Sequence, residues 1–172
     1  MSTRTKRILG GAVLLAAGIL AAVYYLLPQS VPEKAVTTNP VQSTEPQFVK
    51  QGTLSFLHKK TFDVITTIDI ELADTDEKRM QGLMFRSSMS ASAGMLFTFP
   101  YETPQEFWMK NTIISLDIIY VNAKKEIVSI QKYAEPYSEH PLPSYKPASY
   151  VVEVNAGFCD RHRIGEGDYI RF

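Results

Sequence analysis

The segment Phe62–Leu72 reads FDVITTIDIEL. In it Phe62, Val64, Thr66, Ile68, Ile70 and Leu72 alternate with Asp63, Ile65, Thr67, Asp69 and Glu71. Alternation of period two predicts a strand with one face against a core and the other mostly wetted. Asp74 and Glu77 follow at the spacing of a helix N-cap and its reciprocal partner. Met80, Leu83 and Met84 then recur at helical spacing, so a short helix is expected from about Thr75 to Phe85 with those three side chains buried. Gly82 inside it costs roughly 1 kcal/mol relative to Ala, which points to close packing at that position.

Working outward, short strands are expected at Gly94–Phe99, Glu106–Asn111, Ser115–Val121, Glu126–Gln131, Tyr150–Val154 and Tyr169–Phe172. Asn122–Lys125 has the length of a hairpin connection. Alternating strand and helix signals are absent, so a parallel α/β fold is not expected. The fold class read from this pattern is mainly β with a small α part (α+β), a single compact antiparallel domain resembling a barrel or sandwich. Residues 134–149 contain Pro136, Pro141, Pro143 and Pro147 among Tyr137, His140 and Tyr145. They read as a long ordered loop, and such loops often carry function.

The two ends of the chain set its organisation. Arg4, Lys6 and Arg7 precede an uncharged apolar run, Ile8–Leu27, which Tyr24 and Tyr25 extend towards an interface. About 20 apolar residues span a bilayer as a helix, so residues 8–27 are expected to form a transmembrane anchor. A cleaved signal peptide is the alternative, but a cut after Ala22 would leave Leu20 where a small residue is wanted. The basic residues lie before the run, which places residues 1–7 in the cytoplasm and the rest on the extracytoplasmic, periplasmic or external side. Residues 28–47, rich in Pro, Ser, Thr and Gln, read as a disordered linker. The folded part is then residues 48–172.

Charge excludes one class of partner. The chain holds 18 basic and 18 acidic residues; the first 27 hold three basic and none acidic, which leaves 15 against 18, a net −3. A mildly acidic domain with no basic patch argues against nucleic-acid binding. Cys159 is the one cysteine, expected as a small buried hydrophobe without a disulfide. Cys159 and His162 lie three apart with no second tight pair, so neither a metal site nor a cofactor is expected.

The densest chemistry lies in FWMKNTIISLDIIY, Phe107–Tyr120. On an extended strand Trp108, Lys110 and Thr112 share a face and Asn111 points to the other. Asp117 sits between Leu116 and Ile118, where a carboxylate must find a partner, with Lys110, Asn111 and Arg86 as candidates. Arg86, Trp108, Lys110, Asn111, Asp117 and Glu153 therefore form the candidate set. Two readings of it stay open: a buried polar network that pins a turn, or a ligand site of one aromatic surface with a few convergent polar groups.

RMQGLMFR (Arg79–Arg86), GMLFTF (Gly94–Phe99), FWMKNTIISLDIIY, YVVEVNAG (Tyr150–Gly157) and GDYIRF (Gly167–Phe172) occur in that order. Together they resemble the domain-of-unknown-function 192 family over roughly Thr61–Phe172. The resemblance implies a compact, mostly β domain with a small helical part, in a group with many exported or membrane-anchored members. It implies no activity. Members often carry Asp-Gly after LDIIY, where this chain has Asn122-Ala123-Lys124-Lys125, which leaves the turn type open. The function expected is a membrane-anchored binding or assembly module for a small polar molecule, a glycan or an envelope protein. The alternative is a hydrolytic enzyme using Asp117 and Lys110.

Overall fold

A computed structural model describes residues 45–172 of the chain. The span expected over 8–27, the basic tail and most of the 28–47 linker lie outside the described residues. Among the described residues no helix is long and apolar enough to cross a membrane.

The Phe62–Leu72 alternation forms β2 (Val64–Ala73), paired with β1 (Gly52–Leu57), whose Leu54 and Phe56 are fully buried. Ile68 and Ile70 take the core face as the pattern predicts. Phe62 does not: it leaves the strand with φ 58° and is exposed on the turn that joins β1 to β2. The chain then makes α1 (Asp76–Gln81) and crosses back as β3 (Ala93–Phe107), which lies parallel to β2 with Ile70 opposite Gly94. This strand–helix–strand crossover corrects the expectation of a wholly antiparallel domain. The helix itself is expected from the sequence, but one strand–helix–strand unit among many short strands does not reveal the direction in which the next strand returns.

The remaining strands are β4 (Leu116–Val121), β5 (Ile127–Ala134), β6 (Leu142–Asn155) and β7 (Tyr169–Arg171), with α2 (Phe158–His162) between β6 and β7. Seven strands form one sheet in the order β5-β4-β6-β3-β2-β1-β7, antiparallel at every neighbour except β2–β3. The outer strands meet: Glu126 bridges Tyr169, Ile127 N donates to Asp168 O at 2.7 Å, and Ile170 N donates to Lys125 O at 2.9 Å. The sheet therefore curls into a barrel-like shell, which satisfies edges that would otherwise be open. The domain is mainly β with small helices, as expected.

The helix differs from expectation in its cap and its face. Thr75, not Asp74, is the N-cap and accepts from Lys78 N at 3.3 Å, while Asp74 pairs with Lys78 Nζ at 2.6 Å. Leu83 is buried, but Met80 is 73 % exposed and Met84 only half-buried. Gly82 ends the helix at φ 47°, and a Cβ there would touch the Phe97 ring at 3.4 Å, so the close packing expected of it is real. The long loop expected over residues 134–149 is shorter, because β6 begins at Leu142. Pro143 and Pro147 are accommodated opposite Glu106 and Pro104, where the β3–β6 register slips.

Asn122 builds the β4–β5 turn with its own side chain, accepting from Lys124 N at 2.9 Å and Glu126 N at 3.0 Å. Lys125 takes φ 69°, the left-handed conformation that a glycine would adopt at lower cost.

Two apolar clusters cover the sheet. One holds Leu54, Phe56, Ile70, Leu96, Ile119, Val152 and Phe158; the other holds Leu83, Phe97, Met109, Ile118, Tyr120 and Val151. Strand β6 lies between β3 and β4, and its residues alternate between the two clusters. Glu153 is opposite Met95 on one side and Ile118 on the other, so it takes the face of the second cluster.

Candidate functional site

The strand expected over Glu106–Asn111 stops at Phe107. Residues 108–115 form a loop instead, with Met109 fully buried as its anchor and Asn111 at φ 54°. Asn111 O accepts from Phe85 N at 2.9 Å, and Phe85 itself has φ 63°, so two strained loops brace each other. Between them and the end of β3 lies a cleft of about 490 Å³. Its walls are α1 and its exit (Arg79, Met80, Leu83, Met84), the β3 rings Phe97, Phe99 and Phe107, and Trp108. That volume falls within the roughly 300–1,000 Å³ of small-molecule sites.

Glu153 opens on this cleft. It is 5 % exposed, and among the described residues its carboxyl has neither an ion-pair partner nor a hydrogen bond. Burial lifts its pKa from the ordinary 4.5 to about 8, because no countercharge offsets the lost hydration. At neutral pH the cleft therefore holds a carboxylic acid, able to donate a hydrogen bond, among aromatic rings.

The cationic side chains nearby are committed to protein partners. Arg79 pairs with Asp76 at 2.6 Å, donates to Thr98 O at 2.7 Å and lies over the Phe99 ring at 5.5 Å. Lys110 Nζ sits 5.1 Å from the Trp108 ring, and Trp108 is 49 % exposed at the cleft mouth. A smaller cleft of about 270 Å³ continues on the far side of Trp108, lined by Glu106, Phe107, Glu139 and Pro141.

Of the six candidate residues, Trp108 and Glu153 line the cleft and Lys110 lies on Trp108. Asn111 supports the rim, with its amide 3.9 Å from Met84 Sδ. Arg86 and Asp117 are elsewhere. Arg86 is buried against Glu71 at 2.6 Å in a separate cavity of about 160 Å³, and its Nε has no partner among the described residues. Glu71 also accepts from Val49 N at 2.8 Å, which ties the start of the domain to β2.

Asp117 lies on the opposite sheet face from Glu153, since its cross-strand partner is Val154. The expected pairing with Lys110, Asn111 or Arg86 is not what the fold provides. Asp117 is fully buried and accepts three main-chain N–H groups: Tyr133 at 3.0 Å, Gly157 at 3.1 Å and Cys159 at 2.9 Å. It caps the start of α2, whose own N-cap, Gly157, offers no side chain. Asp117 and Lys110 thus have separate partners on separate elements, and the hydrolytic pair read from the sequence has no geometry. Cys159 is buried and unpaired, and its thiol pKa is pushed upward by burial first and then by the Asp117 charge, which favours the protonated thiol. Among the described residues no cluster of His, Cys, Asp and Glu has the arrangement of a metal site.

The sequence reading missed Arg79, Phe97, Phe99 and Phe107 as cleft walls. A partial signal existed: Phe97 and Phe99 are alternate residues of one strand and share a face, while Phe107 lies beyond the register shifts, where alternation no longer carries over. Their rings meet edge to face, Phe97–Phe107 at 5.0 Å and 84°.

A barrel-like sheet with an aromatic cleft and one uncharged buried carboxyl defines a small β-rich domain with a built pocket. By its sequence the chain belongs to the DUF192 family, described as "Uncharacterized ACR", whose profile matches residues 57–172. It is similar to UPF0127 proteins of two archaea. One, from Pyrococcus furiosus, is 28 % identical over 107 residues, covering 61 % of this chain and 87 % of that one. The other, from Thermococcus sibiricus, is 28 % identical over 119 residues, covering 66 % and 72 %. Two crystal structures share the fold. A candidate transcription regulator of Sinorhizobium meliloti superposes with a TM-score of 0.67 at 32 % identity, covering 73 % of this chain and 97 % of that one. A protein of unknown function from Novosphingobium aromaticivorans gives 0.66 at 34 % identity, covering 70 % and 84 %.

Proposed function

We propose that the domain is a small-molecule binding module whose ligand occupies the cleft between α1, the Phe97–Phe99–Phe107 wall and Trp108. The observation that carries this reading is Glu153. The fold has no need of a carboxyl there: among the described residues it has no partner, and burying it costs stability that Gln or Leu would not. Groups that cost stability and open on a cleft are characteristic of functional sites. The aromatic walls supply apolar contact area and Glu153 supplies the orienting polar group. The regulator description of the Sinorhizobium relative fits a ligand sensor as readily as a nucleic-acid binder, and the net −3 beyond residue 27 favours the first.

We further propose that the module is tethered at a membrane through Ile8–Leu27 with the domain on the extracytoplasmic side, on the strength of the Arg4/Lys6/Arg7 bias. A reporter fused after Phe172 and active solely in the cytoplasm would contradict that placement.

Trp108 is the sole tryptophan of the chain, so its fluorescence reads the cleft directly. Screening a fragment library against the full chain is expected to yield compounds that raise the melting temperature by several degrees and alter the emission of Trp108. The same compounds are expected to lose their effect on Trp108→Ala. Hits that stabilise wild type and Trp108→Ala equally would move the site elsewhere.

A further inference from the structure

The charges around the cleft do not balance, and the imbalance narrows the ligand. Asp76 neutralises Arg79 on α1. Against Lys110, which lies over Trp108 with no ion-pair partner among the described residues, stand three acidic side chains: Glu106 on β3 and Glu153 on β6 line the main cleft, and Glu139 lines the smaller one. The buried Tyr120 hydroxyl on β4 also faces Glu153 and Glu106, and it donates to Leu142 O. No free cation of the protein reaches Glu153 among the described residues.

The aromatic wall already binds cations. Arg79 lies over Phe99 at 5.5 Å and Lys110 over Trp108 at 5.1 Å, one at each side of the cleft. Aromatic faces attract a positive charge through the ring quadrupole, most strongly when the charge is dehydrated, and such cages recognise ammonium heads. Phe107 meets both Phe97 and Phe99 edge-on. Its neighbourhood joins aromatic surface to the Glu153 carboxyl.

We propose that the ligand of this cleft is an organic cation, an amine or quaternary ammonium carried on a small apolar body, whose charge sits against Phe107, a cleft ring that no protein cation covers among the described residues, and is countered by Glu153. The inference rests on the cleft being a ligand site and adds the class of ligand. Glu153 is protonated in the empty cleft at neutral pH, since burial lifts its pKa to about 8. A bound cation supplies the missing countercharge, so the carboxyl releases its proton to the buffer as the cation enters. Binding and deprotonation are then linked, and affinity rises with pH until the empty site is itself ionised.

The test uses choline and its neutral isostere 3,3-dimethylbutan-1-ol, titrated into the full chain with Trp108 emission as the readout at pH 6, 7, 8 and 9. Choline is permanently charged, so any pH dependence belongs to the protein. The proposal expects choline to bind at least tenfold more tightly than the alcohol at pH 8. It expects the choline Kd to fall about tenfold per pH unit from 6 to 8 and then level off. Glu153→Gln is expected to abolish that dependence and weaken choline at pH 8 by tenfold or more, with alcohol binding little changed. Equal binding of the two probes, or a choline Kd independent of pH, overturns the cation proposal and leaves the cleft as a site for neutral ligands. Failure of both probes while fragment hits still report through Trp108 overturns the ligand class and not the site.

Discussion

Glu153→Gln is expected to stabilise this protein, and increasingly so as the pH rises from 5 to 8. The folded-state pKa of Glu153 is raised to about 8 by burial, so the native state holds a proton that the unfolded chain has lost above its ordinary 4.5. For a raised value the contribution is fully present below the unfolded pKa and is lost as pH climbs through the folded one. Each pH unit in that window removes about 1.4 kcal/mol of stability. Glutamine keeps the shape and the neutral polar head and carries no such linkage. The variant is therefore expected to match wild type near pH 4.5 and to exceed it by about 4 kcal/mol at pH 8. Urea unfolding of both proteins across that range reads the difference, which cancels the titration of every other group. A constant difference with pH would mean that Glu153 is ionised in the folded protein or finds a partner there.

Asp117→Ala is expected to have the opposite effect. Asp117 closes three main-chain donors from two segments, the β5 residue Tyr133 and the start of α2. Removing it orphans three N–H groups, two of which are buried, and leaves a hole beside Cys159. Each hydrogen bond to a charged acceptor contributes roughly 1.5–3 kcal/mol, and with partial relaxation the total loss is expected at about 3–5 kcal/mol. Because Asp117 lies on the sheet face away from Glu153, Trp108 emission in the folded variant is expected to be unchanged. A loss below about 1 kcal/mol would show that α2 does not depend on this cap. The two carboxyls thus make a contrast within one sheet. One is surrounded by donors and holds the fold; the other has no donor among the described residues and weakens it.

How much of this could be read from the sequence follows the physics of each signal. Burial of Ile68 and Ile70, and of the whole LDIIY strand, was legible because alternation and apolar runs are local patterns. The parallel β2–β3 pairing was not, since the pattern shows the intervening helix but not the direction in which the chain returns to the sheet. β1 was missed because Leu54 and Phe56 give just one period of alternation. Phe107–Asn111 read as strand because its residues favour extended backbone, yet the positive φ of Asn111 and its bond to Phe85 come from packing far along the chain. In the site, Trp108 and Glu153 stood out as chemistry in the wrong surroundings, and both line the cleft. Asp117 stood out for the same reason, but its partners are main-chain groups, which carry no residue identity to search for. Arg86 found Glu71, which the strand pattern had assigned to the wetted face.

The proposed site depends on an uncharged Glu153 carboxyl inside an open aromatic cleft. The most direct measurement is the carboxyl carbon shift of Glu153, followed by NMR against pH in the full chain labelled at glutamate, with Glu153→Gln identifying the resonance. The predicted result is a single titration with a midpoint near 8, well separated from the other glutamates. A midpoint close to the ordinary 4.5 would contradict it: the carboxyl would then be hydrated or paired, and the cleft would lose the one group that marks it as a site.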